Sequence, residues 1–423
     1  MVASIVRGVS VRQRPVRVLQ IGGGNFLRGF ADWMIQKGND AGVLDHGVVV
    51  LKVTASASAP VAGPFRVVLD GAGFTEVTDV DVIQEVAGAY TDWDRCLAVA
   101  RGADLRLVVS NTTDAGIVSV DEDLGARPPA TFPGKMAVLL HERWRHFGGD
   151  PDRGLSFLPC ELIEENGQAL RAAVLRHAAV LDPGFAGWVG AHCRFHDTIV
   201  DRIVPSGDAG EVRGEFYARW AIAGDPRIRD EFPLDRAGLP VEFLADIRPF
   251  REKKVRILNG SHTALAAVAP LLGCVTVDAA VEHPLAGEFL RRLLRDEVLP
   301  TLPADAGAFV EATLERFRNP ALEHRLSDIA LNALSKWDAR NRPVVTDRWA
   351  VGEQAPLSVF ALACLLLGYA GELGDYPVRD SAEVITQVRA GSWVRGRLAE
   401  ETAEHMRVIR EAGPAAALEK ALR

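Results

Sequence analysis

The sequence predicts an α/β protein, with a doubly wound parallel sheet in its first half and a mainly α-helical second half. Three observations lead there. Short Val-, Ile- and Leu-rich runs alternate with helical patterns up to about residue 225. The first of these runs ends in three consecutive glycines. From Asp246 onward almost every periodic segment has helical spacing.

The runs Val16–Gly22, Gly47–Val53, Leu105–Ser110 and Leu155–Cys160 are short, apolar and bounded by Gly or polar residues, as strands buried on both faces are. Between the first two, Asn25–Lys37 carries Phe26, Phe30 and Trp33 at i, i+4 and i+7, which is one face of a helix. Strands alternating with helices make a parallel sheet covered on both sides. The later helical segments are Lys253–Leu272, Pro284–Val298, Ala306–Arg316, Pro320–Lys336, Leu357–Tyr369, Ser381–Ala390 and Ser392–Glu411. The Pro-, Gly- and Asp-containing stretch Ala223–Pro240 separates the halves and sets domains of residues 1–238 and 239–423. Val359–Leu367 is too short to cross a bilayer and reads as a buried helix.

Composition narrows the function. With 423 residues, 48% of them hydrophobic, the chain can bury a large core. Its net charge of −8, without runs of like charge, argues against a nucleic-acid partner. The five cysteines are scattered and lack a CxxC, which fits a reducing cytoplasm better than a disulfide framework. The first twenty residues are basic but have no apolar core of the signal-peptide kind. His192-Cys193-x-x-His196 has metal-ligand types, but no second pair at zinc spacing accompanies it. The expected partner is a small molecule, with no membrane and no resident metal, and the expected assembly is a monomer or small homo-oligomer.

The glycine turn, Gly22-Gly23-Gly24-Asn25-Phe26-Leu27-Arg28-Gly29, follows a strand and opens a helix. Gly22 lets the chain turn tightly, Gly24 lets a pyrophosphate approach the backbone, and the helix start offers free N–H groups to the anion. In that context the turn reads as a Rossmann-type dinucleotide site, with Gly22, Gly23, Gly24, Asn25 and Phe26 as its candidates. The alternative is a glycine-rich turn without a ligand. The acid that ordinarily binds the adenosine ribose of NAD is absent: the second strand ends near Lys52. That lysine suits the 2′-phosphate of NADP, or else lies over the adenine, so NAD against NADP stays open. Ser110, Asn111 and Thr112, followed by Thr113 and Asp114, end a later strand and suit ribose and nicotinamide. They suit a helix N-cap equally well.

Lys254, Asn259 and His262 lie on an otherwise apolar helix. At about 100° per residue, Asn259 and His262 are roughly 60° apart and Lys254 lies roughly 80° from His262. A lysine with its pKa lowered by burial can give and take the proton of an alcohol/ketone pair. An amide N–H aimed at the oxygen stabilises the charge that builds there, and a histidine can place the hydroxyl. Singly these are a solvated lysine, a capping amide and a core histidine; together they point to catalysis. A non-catalytic dinucleotide sensor would have no use for the lysine.

The K-x4-N-x2-H pattern of Lys254, Asn259 and His262, with GGGNFLRG near the N-terminus, resembles the mannitol dehydrogenase family of polyol-specific long-chain dehydrogenases. LQIGGGNFLRGF, VVSNTTDAGI, PCELIEENG, DTIVDRIVP, REKKVRILNGSHTAL and RFRNPALEHRLSDIALNALSK carry the resemblance in order from residue 19 to 336. It implies a Rossmann-type domain, a helical domain, a site between them and zinc-independent hydride exchange between NAD and a secondary alcohol. It also implies that Lys254 is the general acid/base, that Asn259 and Asn166 polarise the carbonyl oxygen, that His262 places the substrate, and that Asp201 and Lys336 lie near it. Arg251 stands where the polyol enzymes have a glutamate, and Asp328 where they have an arginine. These departures point away from mannitol toward an open-chain sugar acid, with fructuronate or a hexitol as the alternatives. Arg251, Arg316, Arg318 and His324 are the candidate cations for its carboxylate, although each alone is more often a surface charge.

Overall fold

The structure is a computed structural model that describes residues 12–55, 63–71, 73–112, 116–205, 210–320 and 324–423. It divides into two units, the first ending at Ile247 and the second running over Arg248–Arg423. The stretch read for a signal peptide begins in residues 1–11, which lie outside the described residues.

The strands of the first unit are β1 Val16–Ile21, β2 Gly47–Lys52, β3 Phe65–Gly71, β4 Phe74–Val80, β5 Ile83–Gly88, β6 Leu107–Ser110, β7 Ser156–Pro159, β8 Arg194–Phe195, β9 Asp197–Asp201, β10 Glu211–Glu215, β11 Arg219–Ala223 and β12 Val241–Leu244. The main sheet has the order β5-β2-β1-β6-β7-β8, with every pair parallel. Counted along the sheet's own strands this is the 3-2-1-4-5-6 order of a dinucleotide-binding fold, and the order reverses between β1 and β6. Alternate residues feed two cores, because successive side chains point to opposite faces. Val18, Val48, Val50 and Val109 pack with Phe30 and Met34 on one side. Leu19, Ile21, Val49 and Leu51 pack with Trp93, Met136 and Leu140 on the other.

Two small sheets, β10-β3-β4 and β12-β11-β9, complete the unit. Because β12 pairs in parallel with β11, residues 241–244 belong to this unit. The boundary therefore falls after Ile247 rather than at 238/239.

The helix after the glycine turn runs over residues 25–40 and widens to a π turn at Arg28–Asp32. Gly29 allows the close approach of helix to sheet: a Cβ there would lie 2.9 Å from Val212 Cγ1 and 3.3 Å from Val204 Cγ1. Asp32 is fully buried. Gln20 Nε2 donates to its Oδ2 at 3.3 Å, while Oδ1 has no partner. Burial outweighs that hydrogen bond and the charge of Arg28, and pushes the Asp32 carboxyl up to about 7.

In the second unit, one helical segment spans residues 248–272, with a π turn at Lys254–Asn259 and a 3-10 end at Ala269–Leu272. At its centre the helix Pro356–Ala370 is buried from Leu357 through Tyr369. Its free N–H groups are met by Glu297, which accepts from Leu357 N at 2.6 Å and Ser358 N at 2.9 Å. The segment expected as one helix over Pro320–Lys336 is instead two, Leu326–Ile329 and Ala333–Arg340. The break is at Asn332, whose left-handed φ of 53° ends any continuous helix. No helix among the described residues is long and apolar enough to cross a membrane.

Asp32 gives this fold a pH signature. The folded-state value of about 7 lies above the ordinary 3.8, so the folded chain holds an extra proton between them. That stabilisation is complete below the unfolded value and is lost as pH rises through about 7. Asp32→Asn should therefore gain stability over the parent progressively from pH 5 to pH 8, read as urea midpoints. Parallel midpoint curves for the two proteins would contradict it.

Candidate active site

The end of β1 is stitched to both neighbours. Gly22 N donates to Leu51 O at 3.1 Å, and Asn111 N donates to Ile21 O at 3.2 Å. Gly22 has φ of 100°, and a Cβ there would stand 3.2 Å from Asn111 O, so the turn needs glycine. Gly24 is different: a Cβ there would meet nothing within 4 Å. The protein's own packing does not require that glycine, whereas a ligand pressed against the backbone would. Gly24 also begins the helix without a side-chain cap, as the helix start of an anion site does. These features fit the pyrophosphate of a dinucleotide at Gly22, Gly23 and Gly24. Asn25 and Phe26 open the helix, and Phe26 stacks on Phe30 at 5.1 Å, so part of that ring belongs to the core.

Ser110 ends β6 and is buried. Its Oγ donates to Glu161 Oε2 at 3.0 Å, and Thr112 donates to Glu161 Oε1 from both N and Oγ1 at 2.9 Å. Glu161, 2% exposed, was not singled out in the sequence; its only signal there is an acid directly after the apolar run of β7. It fixes the loop after β6. Thr113 and Asp114 lie outside the described residues. Lys52 closes β2 half-buried, opposite Gly88 of β5.

Asn166 is held by backbone groups. Its Nδ2 donates to Pro159 O at 2.9 Å and to Glu161 O and Thr198 O at 3.0 Å, and its Oδ1 accepts from Thr198 N at 2.9 Å. An amide has two N–H bonds, and here both are spent on backbone. Asn166 thus ties the ends of β7 and β9 to the helix it begins. Asp201 is the last residue of β9, 3% exposed and paired in register with Arg219 of β11. His196 is buried, and desolvation lowers its pKa to about 4. Among the described residues no group of three or more His, Cys, Asp or Glu is arranged to hold a metal ion.

In the second unit, Lys254 opens the π turn and Asn259 closes it. On an α-helix, residues five apart are about 140° apart; a π turn, bonded i→i+5, winds more slowly and moves them toward one face. The turn therefore brings Lys254 closer to the direction of Asn259 than regular spacing implies. Lys254 and His262 are buried at 6% and 8% exposure, and Asn259 is half-buried. The His262 ring stacks on Phe317 with centroids 4.0 Å apart and meets His324 edge-on at 4.9 Å. Burial, then His324, Arg316, Arg340 and Lys254, hold its pKa well below the ordinary range, so the ring is neutral.

The remaining cations separate. Lys336 Nζ donates to Ile329 O at 3.0 Å, and Arg340, one turn on, donates to Thr263 Oγ1 at 3.1 Å. Arg251 is half-buried in the turn before Lys254. Arg318 is half-exposed at a helix end and faces Glu282 at 3.8 Å, whereas Arg316 is buried, and Arg340 is marked by no pattern in the sequence. Arg340 lies 78 residues from His262 in the chain, and no local spacing signals their proximity.

Known proteins resemble the chain in both units. Residues 16–235 match the mannitol dehydrogenase Rossmann domain, and residues 246–390 match the mannitol dehydrogenase C-terminal domain. An altronate oxidoreductase of Bacillus subtilis is 39% identical over 84% of this chain and 80% of its own length. One from Pectobacterium carotovorum is 37% identical over 88% of this chain and 84% of its own. Among solved structures, Pseudomonas fluorescens mannitol 2-dehydrogenase, a ternary complex with NAD and D-mannitol, has a TM-score of 0.81 at 20% identity, covering 98% of this chain and 96% of that one. A D-sorbitol dehydrogenase has a TM-score of 0.77 at 21% identity, over 96% of this chain and 95% of the other. These two structural likenesses are likenesses of fold.

The Glu161 contacts predict a cofactor phenotype. Glu161→Ala frees Ser110 and Thr112, and losing hydrogen bonds to a charged group costs about 1.5–3 kcal/mol. NADH should bind about tenfold or more weakly, as read from its fluorescence. An unchanged dissociation constant would remove the loop from the nucleotide site.

Proposed function

The chain belongs to the mannitol dehydrogenase family, and on that premise we propose that it interconverts D-altronate and D-tagaturonate with NAD. At the coarser level it is an NAD-dependent oxidoreductase acting on the CH–OH group of a sugar acid or polyol. The sugar acid is proposed because the relatives at 36–39% identity are altronate oxidoreductases. The observation that carries the chemistry is the buried Lys254 at the head of a π turn, with Asn259 at its end and His262 three residues on.

NAD, when bound at Gly22–Gly24, supplies the acceptor for the hydride leaving the carbinol carbon. The chain's own part is the proton and the oxygen. In oxidation, the Lys254 amine takes the hydroxyl proton as the C–H bond gives up its hydride; in reduction, the ammonium returns a proton to the carbonyl oxygen. Asn259 donates an N–H to that oxygen while it carries charge. His262, neutral and held between Phe317 and His324, places a substrate hydroxyl. Asp201 and Lys336 are proposed as neighbours of the substrate, the lysine with its Nζ anchored on Ile329 O. Arg251, beside Lys254 in sequence, is proposed to favour an anionic substrate where the polyol enzymes have an acid.

Substrate and cofactor are tested together. Against a panel of aldonates and hexitols, with NAD and NADP compared, D-altronate with NAD should give the highest kcat/KM. Lys52 supplies no acid to repel a 2′-phosphate, so discrimination against NADP should stay modest. A preference for a hexitol, or a strong preference for NADP, would overturn the respective assignment.

The proton step is tested at Lys254. Lys254→Ala should bind NADH as the parent does and lose about 10²–10⁴-fold in turnover. Its pH–rate profile should lose the limb that the amine provides. Near-parental turnover with an unchanged profile would assign the proton to another group.

A further inference from the structure

We propose that Gln20, oriented by Asp32, locks the Gly22–Gly23 peptide so that the N–H of Gly23 faces the nucleotide pyrophosphate. The proposal rests on the nucleotide reading of the glycine turn and names two positioning residues behind it. Both act through the turn, and neither belongs to the reacting groups.

The first observation is a polar pair where the core is apolar. Gln20 lies in β1 on the same face as Val18, which belongs to one core with Phe30 and Met34. Gln20 and Asp32 are both fully buried. Two apolar side chains would fill that space without the desolvation that an amide and a carboxyl cost. The pair is joined and aimed: Gln20 Nε2 donates to Asp32 Oδ2 at 3.3 Å and to Gly22 O at 3.1 Å. With an acceptor on both sides, the amide must present its nitrogen there rather than its oxygen. Asp32 thus sets the orientation in which Gln20 reaches the turn. Gln20 Oε1 and Asp32 Oδ1 are buried acceptors without a donor. The carboxyl, raised to about 7 by burial, supplies this pair with a proton as it becomes neutral.

The second observation is what the bond to Gly22 O controls. A trans peptide is planar, so its C=O and the next N–H point opposite ways; among the described residues the one cis bond is Arg127-Pro128. A Gly22 carbonyl turned inward to Gln20 therefore turns the Gly23 N–H away from the core. The peptide before Gly22 is held on both sides, since Ile21 O accepts from Asn111 N at 3.2 Å and Gly22 N donates to Leu51 O at 3.1 Å. The peptide after it lies between two glycines, the first with φ of 100°. Without a Cβ on either residue, rotation of that peptide meets little steric resistance. Rotated, it would point Gly22 O outward, and an acceptor there repels a pyrophosphate oxygen. Gln20 opposes the rotation, and the bond to Asp32 keeps Gln20 from turning its own oxygen toward Gly22 O.

The test reads binding as well as turnover. Gln20→Met keeps the length of the side chain and removes the donor. NADH, followed by its fluorescence, should bind this variant about three- to tenfold more weakly, as one lost hydrogen bond implies. KM for NAD should rise by more than kcat falls. Asp32→Leu should weaken NADH in the same way. Asp32→Asn should restore most of the affinity, because an amide there still accepts from Gln20 and gives the pair an N–H. Parental dissociation constants in Gln20→Met and Asp32→Leu overturn the lock. Equal losses in Asp32→Asn and Asp32→Leu make the pair merely structural and overturn it too. If Gln20→Met and Asp32→Leu do not fold, the parent with isotope-labelled glycine decides by nuclear magnetic resonance. The Gly23 amide proton should move downfield on addition of ADP, while that of Gly47, bonded to Pro15 O at the opposite end of β2, should stay in place. A Gly23 amide that does not respond overturns the proposal. A parent that binds neither NADH nor ADP defeats the nucleotide reading, and this proposal with it.

Discussion

The first unit depends on one constraint: β1 must end between β2 and β6 with no side chain in the way. Gly22 meets it. Its N–H bonds to β2, the next strand over bonds back to Ile21, and Asn111 O occupies the space a Cβ would need. Because the strand order reverses between β1 and β6, the chain leaves the two strand ends in opposite directions and a crevice opens there. The helix start at Gly24 and the loop at Ser110–Thr112 both depend on that one turn. A side chain at Gly22 would act on the nucleotide site and on the sheet at once.

A second layer of order lies just behind. Glu161 holds the loop after β6, and Asn166 holds the backbone of Glu161. Buried polar groups of this kind stabilise only when every partner is present. Asn166 has backbone partners on both its nitrogen and its oxygen, and this makes the end of β7 a rigid support.

Much of the fold was legible because its signals are local. The four long apolar runs became β1, β2, β6 and β7, and the apolar stretch around Val359–Leu367 became the most buried helix of the second unit. β3 and β4 were missed because β4 alternates mostly exposed residues on a sheet edge, and β9 through β12 because four or five residues carry little periodicity. At the site, Lys254 and His262 were legible as polar residues on an apolar helix, and the structure buries both. The Asn166 clamp was not, since its partners Pro159 and Thr198 meet it only through the sheet. Arg340 was not, since only the packing of two helices brings it to Thr263. The π turn at Lys254–Asn259 was invisible for another reason: hydrophobic periodicity over six residues does not distinguish it from an α turn.

That turn makes the helix sensitive to length. A π turn is an α-helix with one residue to spare. Deleting a single residue inside 255–258 would let the segment close as regular α-helix, with its backbone hydrogen bonds intact and its apolar face still long enough to pack. The helix before the deletion would turn by about 100° relative to the helix after it, and Lys254 would leave the direction shared with Asn259 and His262. Spacing is thus as much a part of this segment as residue type: two chains with the same lysine, asparagine and histidine, one residue apart in spacing, would present different surfaces.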